Sequence, residues 1–111
     1  MAKLQKEIIA KAINKIVIPL GGSFRWRTSQ DQLGWNGMFI PTTKTIVLKS
    51  TVGPRTLAHE LAHLTQFNLR GQTKCEYSNP YGKPLAMEHY ALQKQWTTSL
   101  KANGVYQLLQ N

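Results

Sequence analysis

The chain has 111 residues, and its 14 basic against five acidic residues give a formal charge of +9. That length suits one domain, residues 1–111, with one modest core. A single cysteine, Cys75, excludes an intramolecular disulfide. The longest apolar stretch, residues 8–20, is interrupted by Lys11 and Lys15, which excludes a membrane span. Those lysines, with Lys6 and Glu7, also break the apolar core a secretory leader needs, so the expected location is cytoplasmic and no membrane partner is expected. The positive charge attracts nucleic acid, anionic surfaces or acidic proteins, and does not choose among them.

Residues 3–17 carry Leu4, Ile8, Ile9, Ala12, Ile13, Ile16 and Val17 at helical spacing, with lysines on the other side. This predicts an amphipathic helix with a solvated basic face. Pro19 and Gly21-Gly22 end it. Residues 23–28 alternate Phe24 and Trp26 with Arg25 and Arg27, the pattern of a half-buried strand. A second strand is expected over residues 35–40, with a possible bend at Asn36-Gly37. Residues 41–44 form a turn, and residues 45–49 form a third strand. Three short successive strands suggest a small, largely antiparallel sheet.

A second helix is expected around residues 56–67, with Pro54 in its first turn and Gly71 as its stop. Leu57, Leu61 and Leu64 share its core-facing side. A polar loop covers residues 71–83. A last helix runs from Pro84 to about Asn103, with Leu85, Leu92, Trp96 and Leu100 on its apolar side, and a short tail follows Gly104. No repeat or linker divides the chain.

The second helix contains His59-Glu60-Leu61-Ala62-His63, an HExxH motif. One turn separates the two histidines, so both imidazoles leave one helix face and can converge on one ion. Glu60 stands beside them as a candidate general base for a water activated there. Zinc suits such donors, in a catalytic site with three protein ligands and one open position. The third ligand must come from elsewhere. A metzincin would carry Gly and His where this chain has Gln66 and Leu69. A gluzincin requires a later Glu on a second helix, in Glu-x-x-Ala or Glu-x-x-x-Asp, and Glu88-His89-Tyr90-Ala91 matches the first. Glu88 falls beside the apolar side of its helix, where a lone carboxylate needs a partner. Small Ala91 would let two helices approach closely. Glu88 is therefore the expected ligand. His89, about 100° around the helix, and Cys75 are the alternatives.

These features resemble the gluzincin clan of zinc metallopeptidases, and in their order the ImmA/IrrE-type and minimal gluzincin domains. The likeness spans about half the chain, from residue 34 to residue 91, and lies in residues 34–40, residues 45–48, residues 56–63 and Glu88 to Ala91. It implies an α+β, zincin-like domain with an N-terminal helix, a small twisted sheet, the HExxH helix and a C-terminal helix carrying the Glu ligand. It implies one Zn2+ per chain, held by His59, His63 and Glu88, and hydrolysis of a peptide or protein substrate with Glu60 as general base and acid. It also implies a substrate-pairing edge strand, which would be Thr45, Ile46, Val47, Leu48 and Lys49. Tyr77, Tyr81, His89 and Tyr90 are the candidates for a donor that stabilises the oxyanion.

Two other functions fit the residues. A DNA-associated zinc protein, or a protease resembling the SprT type, would use the basic surface and the interleaved Phe24-Arg25-Trp26-Arg27 strand. A latent zinc-binding domain would fold residues 105–110 over its own cleft.

Overall fold

The computed structural model describes residues 3–31, 34–71 and 82–110. Within them the chain is α+β, with four helices and a three-stranded mixed sheet. Helix α1 spans Lys3–Val17, as the apolar spacing predicts, and buries Ile9, Ile13 and Val17. A 3-10 turn over Ile18–Leu20 closes at Gly21. Strands β1 (Ser23–Trp26), β2 (Gly37–Ile40) and β3 (Thr45–Leu48) follow, then α2 (Pro54–Arg70), α3 (Gly82–Ala102) and α4 (Val105–Leu109). No described helix is long and apolar enough to cross a membrane.

The sheet departs from the antiparallel expectation. Its order is β1-β3-β2, so β3 lies in the centre. It pairs antiparallel with β2 through the turn at residues 41–44, and parallel with β1, Phe24 opposite Ile46. The expected edge strand, Thr45 to Lys49, is therefore not at an edge. The physical reason lies in its composition: Ile46, Val47 and Leu48 are all buried, as a strand covered on both faces requires. Among the described strands, the edges are β1 and β2.

Helices α1 and α2 supply most of the core, where Ile9, Ile13 and Val17 meet Phe24, Ile46, Leu48, Leu57, Leu61 and Leu64. Leu100 of α3 and Val105 and Leu109 of α4 complete the cluster. The C-terminal segment thus forms a short helix packed on the core. Beneath the sheet, Phe24 and Trp26 meet edge to face at 5.0 Å between ring centroids. The Trp26 indole N–H donates to the Lys6 carbonyl at 3.0 Å. On the opposite side of β1, Arg25 is held by Asp31 at 2.8 Å. The alternation in β1 therefore serves the core and a local ion pair.

Candidate metal centre

Helix α2 begins after Gly53 with Pro54 in its first turn, where the missing N–H costs nothing. It ends at Gly71, whose φ of 68° lets its N–H close on the Phe67 carbonyl. Leu57, Ala58, Leu61, Ala62 and Leu64 are buried, which fixes the rotation of the helix. His59 and His63 then emerge at the side of the core. Their Nε2 atoms lie 3.1 Å apart. The Nδ1 of His59 lies 3.4 Å from the Gln93 side-chain oxygen. A proton on Nδ1 directed at Gln93 leaves Nε2 free as a lone-pair donor.

Helix α3 is fastened to α2 along its length. The Trp96 indole N–H donates to the Thr65 hydroxyl at 2.8 Å, and the Gln66 amide donates to the Leu85 carbonyl at 2.7 Å. His89 is buried and lies 3.2 Å, through Nε2, from the His59 carbonyl. Donation from Nε2 leaves Nδ1 of His89 with the lone pair. The ring centroids of His59, His63 and His89 lie 4.2 to 4.6 Å apart. One ligating nitrogen from each falls within 4.8 Å of the others. The three histidines can hold a metal ion. Burial, with the nearby His59 as a smaller cause, lowers the His89 pKa, and the His59 carbonyl opposes the shift. The neutral imidazole, the form that binds metal, is thereby favoured.

Glu88 takes a different place from the one expected. Its carboxylate turns to α2's last turn, where the Arg70 Nε donates to both oxygens at 2.8 and 2.9 Å. The Gln66 amide adds a contact at 3.2 Å. Hydrogen bonding from Arg70 lowers the Glu88 pKa against a smaller effect of burial. Its need for a partner is met by a guanidinium, and the donor that α3 presents to the histidine pair is His89. Ala91 is exposed, and the small buried residue of this helix is Ala86.

Glu60 is 5% exposed, and desolvation alone raises its pKa to about 7. Its carboxylate and the two motif histidines line a groove of about 250 Å3 with Gly37, Met38 and Phe39 of β2. Gly37 is a site residue that the sequence alone does not disclose. A Cβ there would stand 2.7 Å from the Thr56 methyl and 3.0 Å from a Glu60 carboxylate oxygen. Only glycine lets β2 lie this close to the acid. Gln93 likewise has no local signature; its role comes from the pairing of α2 with α3.

Of the candidate oxyanion donors, His89 belongs to the histidine cluster, and Tyr90 lines an adjoining recess with Arg55 and Gln93. Tyr77 and Tyr81, like Cys75, lie outside the described residues. Among the described residues, Thr45 to Lys49 line neither of the two grooves at His59 and Glu60. No family model, no curated protein and no solved structure matches this chain.

Proposed function

We propose that this protein is a zinc-dependent endopeptidase of the zincin type. The observation that carries the reading is a cluster of three histidines, two of which line one groove with the buried Glu60 carboxylate and β2. Three neutral nitrogens favour zinc over the harder, oxygen-seeking cations. His59, His63 and His89 would hold it, with Glu88 as the competing third ligand one residue away. When bound, zinc supplies Lewis-acid polarisation of a carbonyl and a nucleophilic water near neutral pH.

The chain's own residues supply the rest. Among the described strands β2 pairs only with β3, and its other edge would accept an extended peptide. Gly37, Met38 and Phe39 line the groove with Glu60, so a peptide paired with β2 would pass beside that carboxylate. Glu60 takes a proton from the attacking water and returns it to the departing amine. Its burial keeps bulk water from competing and puts its proton affinity near neutrality, where it can both accept and give.

The deciding experiment compares wild type with Glu60→Gln on an unstructured protein such as casein, each with measured metal content. Wild type cleaves with about one zinc per chain, and the variant keeps zinc while losing at least a hundredfold in rate. A folded wild-type protein that takes up no metal would overturn the reading.

A further inference from the structure

The groove at the histidines continues sideways along the seam between α2 and α3. Beyond His59 and Glu60 it is bounded by Arg55 and Gln93 and encloses about 390 Å3. Arg55 and Gln93 also line the next recess, about 300 Å3, whose far wall is Tyr90, Lys94 and Thr97. The two recesses adjoin at Arg55 and Gln93 and form an open surface channel between Glu60 and Lys94.

Two cations face this channel without a carboxylate partner. Among the described residues, the ion pairs are Arg25 with Asp31 and Arg70 with Glu88. Arg55 is exposed in α2's first turn and enters neither. Lys94 places its ammonium 4.6 Å over the Tyr90 ring, which holds the charge at the rim without neutralising it. In a chain of charge +9 with five acids, these two cations stand side by side along one recess with no acid among its described lining residues.

We infer that the channel receives an acidic stretch of the substrate peptide. This rests on the hydrolase reading, and names the class of substrate: a protein segment with carboxylates a few residues to one side of the cleaved bond. Arg55 presents a planar fork suited to a carboxylate, and Lys94 a point charge further out. Gln93 and Thr97 between them offer hydrogen bonds to the peptide. A nucleic-acid strand fits less well. Its bases stack on successive aromatic faces, and the channel offers one tyrosine, Tyr90, with Lys94 over one face of its ring.

The test uses zinc-loaded protein carrying Glu60→Gln, so that a bound peptide is not cut. Two fluorescein-labelled decapeptides are compared by anisotropy, one with three consecutive glutamates and one with glutamines in their place. Exposed ion pairs are individually weak, so each cation should contribute about two- to fivefold at low salt. The glutamate peptide should bind about tenfold more tightly than its counterpart. Arg55→Glu with Lys94→Glu should erase that preference. Lys11→Glu with Lys15→Glu, an equal charge change on α1, should leave most of it. Equal binding of the two peptides would overturn the inference, as would equal loss from the α1 reversal. Tighter binding of an oligonucleotide of matched charge through Arg55 and Lys94 would also overturn it. Cleavage of the same peptides by wild type separates the two readings. If both are cut at one rate and bound alike, the acidic preference fails and the hydrolase stands. If neither is cut but the preference and its loss persist, the acidic site stands and the hydrolase fails.

Discussion

His89 and His59 are joined across two helices, the ring of one lying 3.2 Å from the main-chain carbonyl of the other. This contact sets how α3 faces the HExxH motif, and it makes a third imidazole the nearest donor to the pair. It is supported by the preceding residue, because Glu88 is occupied by Arg70 and Gln66. Zinc affinity measured by chelator competition should therefore fall by at least a hundredfold in His89→Ala. Glu88→Gln should lose about tenfold, the cost of loosening a residue that positions a ligand. The opposite order would move the third ligand to Glu88.

How far the site was legible from sequence differs residue by residue. His59, Glu60 and His63 follow from helical periodicity alone, because neighbours one turn apart share a face in any helix. The choice between Glu88 and His89 does not. It turns on the phase of α3 against α2, and on Arg70, whose claim on Glu88 is a contact between residues far apart in the chain. A hint was available: Gln66 and Arg70, one turn apart, form a polar pair at the end of α2. The strands were legible as segments but not as a sheet. Alternation assigns side chains to faces and says nothing about neighbours. The uninterrupted Ile46-Val47-Leu48 run was the sign of a central strand. Asn36-Gly37 read as a possible bend, whereas Gly37 serves the approach of β2 to Glu60.

That approach can be tested directly. Gly37→Ala puts a methyl into space already bounded by Thr56 and Glu60, with an unrelaxed contact of 2.7 Å. Relief requires β2 or the acid to move. The substitution should cost about 1–3 kcal/mol in urea unfolding and lower hydrolysis at least tenfold while zinc content stays near wild type. Unchanged stability and rate would show that the strand does not seat against Glu60.

Metal removal gives a readout independent of any substrate. An ion held by three imidazoles from two helices would bind the folded form and not the unfolded chain. Zinc at about a hundred times its Kd should stabilise the protein by about 2.7 kcal/mol. For a domain of this size that raises Tm by roughly 10 °C or more. Chelation should reverse the rise and zinc restore it. His59→Ala should abolish the response, and a melting curve indifferent to zinc and chelator would argue against the centre.

The Arg25–Asp31 pair predicts a pH dependence far from the metal centre. Asp31 is held well below the usual carboxylate range, first by its hydrogen bond with Arg25 and then by the Thr28 N–H. A carboxyl with a depressed folded-state pKa binds protons more readily in the unfolded chain. Its stabilisation is therefore fully present above the ordinary aspartate value of about 3.9 and fades as pH falls below it. Wild type should have a higher urea midpoint than Asp31→Asn at pH 6, and the two midpoints should converge on going from pH 4 to pH 2. The gap should also shrink in 1 M salt, since the pair lies at the surface. A midpoint difference that is constant across that range would assign the effect of Asp31 to turn geometry at residues 28–31 rather than to its charge.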